Sequence, residues 1–245
     1  MSELSGKRVV ITGGGSGIGE GIAKALAAEG CRVVIGGRTV EKLKVVAEGI
    51  SGEHTVGYHP LDVADRTSVE TFFVWAKEIL GGVDILINSA GINIAKRSMA
   101  EMVPEDWDKV LTTNATGAYN CMAAVLPGMR EQKDGLIISV ASIAGLRAIA
   151  GLAGVAYCAS KFAVSALGTA VAEEEKKHGI RVTTIYPGEV ATAILDRRPV
   201  PPSAEARAAM VQPEDVAAAV IMIAKLPPRA NVLEMVIKPT VQTFI

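Results

Sequence analysis

The sequence predicts an α/β fold, a doubly wound parallel sheet of about seven strands with helices on both faces. Short apolar runs rich in Val and Ile alternate with helix-like segments along the whole chain. These runs are apolar without alternation, which is typical of strands that are buried on both faces. The composition is 49% hydrophobic but only 4% aromatic, which suits small aliphatic side chains packed between helices and a sheet.

The predicted elements follow from two spacing patterns. The strands are short β-branched runs, and in chain order they cover Lys7–Thr12, Arg32–Ile35, Thr55–Tyr58, Asp84–Asn88, Leu136–Val140, Arg181–Tyr186 and Val232–Ile237. The helices repeat apolar residues every three or four positions, and they cover Gly17–Glu29, Val40–Ile50, Ser68–Leu80, Pro104–Met129, Val155–His178 and Pro213–Ala224. In the first helix the spacing is made by Ile18, Ile22 and Leu26. Pro104 and Pro213 stand where a first helical turn tolerates proline.

All residues from 1 to 245 are expected to form one domain, because no repeat or long linker interrupts the pattern. The Pro-rich stretch RRPVPP, residues 197–202, lies between the sixth strand and the last helix. A linker is one interpretation of it. We favour a surface flap at about 190–212, since too little chain follows to build a second domain.

Composition argues against several classes of protein. The formal net charge of -1 gives no basic surplus for nucleic acid. The three cysteines and three histidines are not clustered at metal-ligand spacing, so we expect no metal and reduced thiols. The start resembles no signal peptide, and no apolar run reaches membrane-spanning length. We therefore expect a cytoplasmic protein that does not enter a membrane.

The first strand ends in a glycine-rich turn, TGGGSGIG, residues 12–19. A turn that leaves a strand and enters a helix presents backbone N–H groups that attract a pyrophosphate. Gly13, Gly17 and Gly19 give the pattern T-G-x-x-x-G-x-G rather than G-x-G-x-x-G. The alternative is a tight turn with no ligand. A nucleotide site of the Walker type is disfavoured, because no G-K-[ST] follows.

Arg38 follows the second strand, where a dinucleotide site carries the residue that contacts the adenosine ribose. A carboxylate there would accept hydrogen bonds from a 2′-hydroxyl, whereas an arginine pairs with a 2′-phosphate. The sequence therefore favours NADP(H) over NAD(H), although NAD(H) stays possible. The alternative is an exposed arginine at a strand end.

YCASK, residues 157–161, places Tyr157 and Lys161 one helical turn apart. A phenol, whose ordinary pKa is about 10, exchanges protons near neutral pH only if its anion is stabilised. The Lys161 ammonium is expected to lower the pKa of Tyr157, which would act as general acid or base. The alternative is an ordinary surface pair on a helix.

Two further polar residues belong to the same candidate site. Ser142 ends the fifth strand, where its hydroxyl could hydrogen-bond a substrate oxygen and stabilise developing charge. Asn114 lies on the apolar face of its helix, where an amide is costly unless it is hydrogen-bonded. The alternatives are a capping serine and a buried structural asparagine.

These motifs, together with NSAG at 88–91 and PGEVAT at 187–192, resemble the short-chain dehydrogenase/reductase family in its single-domain branch. The resemblance covers almost the whole chain and implies a Rossmann-like fold and a homotetramer or homodimer. It implies that Asn114 kinks its helix and binds a water that relays protons, and that Lys161 holds the nicotinamide ribose. The cofactor contacts that it implies are Gly13, Ser16, Gly17, Ile18, Gly19, Arg38, Asp62, Val63, Asn88, Ala90, Gly91, Tyr157, Lys161, Pro187, Gly188, Val190 and Thr192.

The resemblance leaves the substrate open. The chain end, NVLEMVIKPTVQTF, is similar to the subgroup that includes bacterial 3-hydroxy acid and serine dehydrogenases. Apolar residues at 145–155 suit a ketone or aldehyde, whereas Arg147, Arg197 or Arg198 could pair with a carboxylate if it points inward. Solvated arginines are the alternative.

The expected activity is that of an NADP(H)-dependent carbonyl reductase or alcohol dehydrogenase acting on a small-molecule carbonyl or alcohol. NAD-dependent or 3-hydroxy acid dehydrogenation is the enzymatic alternative. A cofactor-binding redox sensor without catalysis is the alternative of another class.

Overall fold

The computed structural model of the chain describes residues 2–198 and 200–243, with the exception of the Arg197 side chain. Within these ranges seven parallel strands form one sheet in the order β3-β2-β1-β4-β5-β6-β7. They are β1 Arg8–Thr12, β2 Arg32–Gly37, β3 Gly57–Pro60, β4 Ile85–Asn88, β5 Gly135–Val140, β6 Ile180–Pro187 and β7 Glu234–Ile237. This confirms the predicted doubly wound sheet.

Helices connect the strands and cover both faces of the sheet. They are α1 Gly17–Ala28, α2 Val40–Glu48, α3 Arg66–Leu80, α4 Pro104–Leu111, α5 Gly117–Gln132, α6 Ala150–Ala153, α7 Val155–Glu175, α8 Ala204–Ala208 and α9 Pro213–Ala224. Short 3₁₀ turns cover Ile143–Gly145, Lys176–His178 and Ala193–Arg197, and a π-helical turn covers Thr112–Thr116.

The core has two layers because successive strand residues point to opposite faces of the sheet. Val9 and Ile11 of β1 belong to the layer under α1 and α9. Val10, between them, belongs to the other layer with Phe72 of α3 and Met122 of α5. All three β1 side chains are fully buried, as expected for a central strand covered on both sides.

The predicted long helix over Pro104–Met129 is divided by the π turn into α4 and α5. The turn places Asn114 so that its Nδ2 donates to the carbonyl of Ile92 at 3.0 Å. Its Oδ1 accepts a hydrogen bond from the Ile92 N–H at 2.8 Å. A buried asparagine that satisfies a loop backbone in this way explains why the helical register changes here.

The third strand lies two residues later than predicted, at Gly57–Pro60 instead of Thr55–Tyr58. It is an edge strand that pairs with β2 alone, and the pairing ends at Gly37 and Pro60. Proline is tolerated at such an edge because its missing N–H breaks no inner hydrogen bond.

One helical run, Val155–His178, is long and apolar enough to cross a membrane by length and composition alone. That observation is weak, because core helices of globular proteins meet the same criteria, but it contradicts the expectation that no segment qualifies. In the structure the run contacts β6. It carries the buried Lys161 and a buried Glu175 that pairs with Arg130 of α5. Cytoplasmic location stays a prediction.

Candidate active site

A cavity of about 430 Å³ lies at the carboxyl ends of β1, β4, β5 and β6. Strand order reverses between β1 and β4, and ligands of open parallel sheets bind beside such a reversal. The cavity extends from the glycine turn after β1 to the first turns of α7. It therefore joins segments that are far apart in the sequence.

The glycine turn approaches the β4 loop too closely for a side chain. Gly13 has φ +68°, and a Cβ built on it would lie 2.8 Å from the Cα of Ala90. The Gly13 N–H donates to the Gly36 carbonyl at 2.8 Å. Thr12 adds a second tie, since its Oγ1 accepts from the Ala90 N–H at 3.1 Å. Glycine is thus required at position 13 by the backbone alone.

The rest of the turn forms the wall of the cavity. Ser16, Gly17 and Ile18 line it together with Gly13. Gly17 has φ +57°, and a Cβ there would lie 3.0 Å from Cγ2 of Thr192. Gly19, by contrast, is buried against the Gly13 carbonyl and does not reach the cavity. Its role in the structure is to let α1 start directly behind the turn.

Arg38 is exposed and lines the cavity at the end of β2. Lys42, in the first turn of α2, also lines the cavity, and sequence reasoning missed it. Arg38 precedes α2, so no helical spacing linked the two residues in the sequence. The two cations suit a phosphate group at this end.

The loops after β3 and β4 complete this half of the cavity. Asp62 and Val63 line it after β3, and Ala90 and Gly91 line it after β4. The Asp62 carboxylate also accepts a hydrogen bond from the Ala64 N–H at 3.0 Å, which holds the loop. The family resemblance implies that these four residues contact the adenosine portion of the cofactor, and this stays a prediction.

Among the described residues, Asn88 and Asn114 do not line the main cavity but a small one behind it. This second cavity measures about 10 Å³, which is near the size of one water molecule. Lys161 borders both cavities. The buried Oδ1 of Asn88 accepts no hydrogen bond from the described protein atoms, so this small cavity is polar.

Ser142, Tyr157 and Lys161 meet at the opposite end of the main cavity. The Ser142 Oγ accepts a hydrogen bond from the Ala144 N–H at 3.1 Å, which caps the short 3₁₀ turn that follows. Lys161 Nζ donates to the carbonyl of Val140 at 2.8 Å and lies 5.6 Å from the centroid of the Tyr157 ring. Ser142 therefore has the capping role that the sequence offered as the alternative, and its side chain also lines the cavity beside Tyr157.

The electrostatics of this group correct one prediction. Burial raises the pKa of Tyr157 to about 12, and the nearby Ser142 hydroxyl and the charges of Arg97 and Arg198 oppose that rise. Burial likewise lowers the pKa of Lys161 to about 8. The expected lowering of the tyrosine pKa by Lys161 is thus not found, because this ammonium is directed at the Val140 carbonyl and is itself desolvated.

The turn after β6 forms the cavity floor near this group. Pro187, Gly188, Val190 and Thr192 all line it. The Gly188 N–H donates to the Ile237 carbonyl at 2.7 Å, which fixes the turn against the end of β7. Val190 forms an isolated bridge with Val211, so the two ends of the predicted flap are adjacent.

Of the arginines considered from the sequence, Arg198 points inward. It lines the cavity, and its Nη1 lies 2.7 Å from Oε1 of Glu189. Arg147 is exposed and is not part of the lining, and the side chain of Arg197 lies outside the described part of the chain. Arg97, which sequence reasoning missed, also lines the cavity and is only 8% exposed. No sequence signal marks Arg97, which lies 60 positions before Tyr157.

Known proteins share both the sequence and the shape of this chain. A family model described as short chain dehydrogenase matches residues 7–200. An uncharacterized oxidoreductase of Staphylococcus aureus (strain MW2) is 37% identical over 216 residues, covering 86% of this chain and 92% of the relative.

Two solved structures superpose closely on the chain. One is an alcohol dehydrogenase from the archaeon Thermococcus sibiricus complexed with 5-hydroxy-NADP, with a TM-score of 0.86, 31% identity and coverage of 97% of this chain and 98% of that one. The other is a serine dehydrogenase in its closed form complexed with NADP⁺, with a TM-score of 0.86, 28% identity and 96% of each chain covered.

Proposed function

The chain belongs to the short-chain dehydrogenase family of oxidoreductases, and from that premise we propose an NADP(H)-dependent carbonyl reductase or alcohol dehydrogenase. The observation that carries this proposal is one cavity with a glycine turn at one end and the Ser142–Tyr157–Lys161 group at the other. A protein that only bound the cofactor would need the turn but not a serine and a tyrosine beside the lysine at the other end of the cavity.

The cofactor end fits a dinucleotide phosphate. The backbone of the glycine turn is so close to the loop after β4 that a Cβ on Gly13 would collide with Ala90. Helix α1 begins within the same turn, at Gly17. Helix N-termini and glycine turns of this kind bind phosphate groups. Arg38 and Lys42 supply positive charge for a 2′-phosphate. The NADP complexes of the two similar structures support the same choice of cofactor.

In the direction of reduction, the chain's own residues position the substrate and supply a proton. When bound, NADPH supplies the hydride that adds to the carbonyl carbon. Tyr157 donates its phenolic proton to the carbonyl oxygen, which becomes the hydroxyl of the alcohol. A pKa of about 12 keeps the phenol protonated at neutral pH, as a general acid requires. Ser142 hydrogen-bonds the same oxygen and stabilises the charge that develops on it.

Lys161 is proposed to hold the nicotinamide ribose and to return a proton to Tyr157. Its Nζ lies between the main cavity and the small cavity that Asn114 borders. A water of the size of that cavity would be held by Asn88, Asn114 and Lys161, and would supply a proton to the lysine. This is the relay that the family resemblance implies for Asn114.

We further propose that residues 1–245 act as one dinucleotide-binding and catalytic domain, with a substrate flap at about 190–212. A homotetramer or homodimer is proposed to form through the helical segments at 104–129 and 155–178. Tyr119 on α5 and Phe162 on α7 support this, since they are 50% and 41% exposed. Aromatic side chains exposed on helices of this kind are typical of interfaces between subunits.

The proposed function is tested by following NADPH consumption with aldehydes, ketones and 3-oxo acids, and by identifying the product alcohol. The expected result is turnover with NADPH that exceeds turnover with NADH. NADPH that binds tightly without reduction of any of these compounds would instead indicate the redox-sensor alternative.

A further inference from the structure

Arg97 is a buried cation in the wall of the main cavity. We call the end that holds Ser142, Tyr157 and Lys161 the substrate end. Its Nε donates to the carbonyl of Ile94 at 3.0 Å, and its Nη1 donates to the carbonyl of Leu152 at 3.0 Å. These bonds join the loop after β4 to α6. Both bonds orient the guanidinium in the cavity wall.

The backbone around Arg97 fixes its position further. The Val155 N–H donates to the Arg97 carbonyl at 3.3 Å. Gly154, with φ +87°, packs so closely that a Cβ on it would lie 2.5 Å from Cβ of Arg97. The arginine is therefore held by a close contact immediately before the helix that carries Tyr157.

Arg198 brings a second cation to the same end of the cavity. Its side chain is 17% exposed and pairs with Glu189, whose side chain is 25% exposed. The charges of Arg97 and Arg198 both act on Tyr157, and they act on each other. Two guanidinium groups therefore lie at the end of the cavity that holds the phenol.

The remaining walls of this end are aliphatic. Ile143, Ile149, Leu152 and Ile194 line the cavity around the two arginines. A small carbon skeleton fits such a lining, and an anionic group at its end would meet the guanidinium groups of Arg97 and Arg198. A carboxylate carries one negative charge and matches the planar guanidinium with two parallel hydrogen bonds.

We propose that the substrate is a short oxo acid or the corresponding hydroxy acid, and that Arg97 and Arg198 bind its carboxylate while Tyr157 contacts the reacting oxygen. This inference deepens the proposed function and rests on it. Arg97 and Arg198 then determine specificity, and the carboxylate they bind orients the carbonyl toward Ser142 and Tyr157.

The test compares acids with matched neutral compounds. NADPH-dependent kcat/KM is measured for 3-oxobutanoate and 3-oxopentanoate and for the methyl ester of each. We expect each acid to exceed its ester by about tenfold or more, as for a charge-assisted pair in a partly buried site. An ester that is reduced as well as its acid would overturn the inference while leaving the reductase function intact.

Variants locate the effect at the two arginines. Arg198→Met is expected to lower the acid-to-ester ratio by about tenfold, and Arg97→Met by at least as much. Glu189→Gln should raise the ratio, because it removes the neighbouring negative charge. The exposed Arg147→Met is the matched control and should leave the ratio unchanged. An equal loss for acid and ester in Arg198→Met would contradict the proposal, and this variant decides the test if Arg97→Met does not fold.

Binding measurements separate this inference from the proposed function. Calorimetry of the protein with NADP⁺ compares butanoate, butanamide and propylphosphonate. Tighter binding of butanoate than of butanamide, lost in Arg198→Met, is expected even if no oxo acid is reduced, in which case the reductase function alone fails. Equal binding of butanoate and butanamide, or a preference for the phosphonate, would contradict a site for a carboxylate.

Discussion

The two ends of the cavity are built in different ways. At the proposed cofactor end, the shape is set by backbone, since Gly13 and Ala90 are so close that even a methyl group would collide. At the proposed substrate end, the chemical character is set by side chains from separate segments, and Arg97, Tyr157 and Arg198 all line the cavity there. A substitution of a cavity-lining side chain should therefore alter the cofactor end less than the substrate end.

This difference explains why the glycine turn can be recognised in the sequence whereas the arginines that would determine specificity cannot. Glycines that permit a backbone approach follow one another in the chain and leave a recognisable pattern. Charged side chains that converge from distant segments leave none. Substitutions at the two ends should therefore have different effects on cofactor binding, turnover and stability.

Tyr157→Phe should separate the two ends most clearly. Loss of the phenolic proton should lower kcat by about a thousandfold, within the range that general acids contribute. NADPH binding, measured by fluorescence of the reduced cofactor, should persist because the glycine turn is untouched. Ser142→Ala should also lower kcat, but by a smaller factor. A kcat of Tyr157→Phe equal to that of the wild type would show that Tyr157 is not the proton donor.

Gly13→Ala should damage the cofactor end and the fold together. The new Cβ would lie 2.8 Å from Ala90 Cα at φ +68°, and the left-handed backbone costs about 1–2 kcal/mol for alanine. The melting temperature should fall by about 2–8 °C, and NADPH affinity should fall with it. Gly128→Ala is the matched control, because position 128 is exposed and a Cβ there meets nothing within 4 Å. Equal stability of Gly13→Ala and wild type would contradict the collision.

Arg38→Ala should change which cofactor is used without changing the chemistry. Removal of a charge-assisted partner of the 2′-phosphate should lower the ratio of NADPH to NADH kcat/KM by about tenfold to a hundredfold. The measurement is the same ketone assay with each cofactor. An unchanged ratio of NADPH to NADH kcat/KM would show that Arg38 does not bind the 2′-phosphate, and Lys42 or a backbone group would be the next candidate.

The buried Lys161 should make the stability of the cofactor-free protein depend on pH. Burial lowers its pKa to about 8, whereas an unfolded lysine has a pKa of about 10.4. Between these values the unfolded chain binds more protons, so the free energy of unfolding should rise with pH by up to about 1.4 kcal/mol per pH unit. Below a pH of about 8 both the folded and the unfolded chain bind this proton, so the pH dependence disappears.

Urea unfolding at several pH values checks that contribution, with Lys161→Met as the comparison. The variant should lack the rise. Tyr157 acts in a separate window with the opposite sign, because its raised pKa of about 12 makes stability fall as pH rises above about 10. Identical slopes in wild type and Lys161→Met would show that the ammonium is not desolvated.

Most of the fold could be predicted because each strand and helix carries a local signal. The strands appear as apolar runs that alternate with helices, and the family resemblance implies the Rossmann-like sheet. The division of the predicted helix 104–129 was not visible as an element, because the π turn depends on the contact between Asn114 and the Ile92 backbone. The shift of β3 follows from pairing with β2, which is also a long-range contact.

The candidate site was predicted in part for the same reason. Most of the proposed cofactor residues line the cavity, since their positions follow from sequential motifs. Arg97 was missed and the pKa of Tyr157 was misjudged, because burial and neighbouring charge exist only after folding. Local sequence reported which chemical groups are present, and the fold determined their electrostatic surroundings.

The most direct test of the chemistry is transfer of the label from cofactor to product. NADPH carrying deuterium at one or the other position of nicotinamide C4 would be supplied with a reducible carbonyl compound, and the alcohol analysed by mass spectrometry and NMR. One of the two labelled forms should give an alcohol with a single deuterium on the former carbonyl carbon. An alcohol without deuterium from both forms would contradict direct hydride transfer in this cavity.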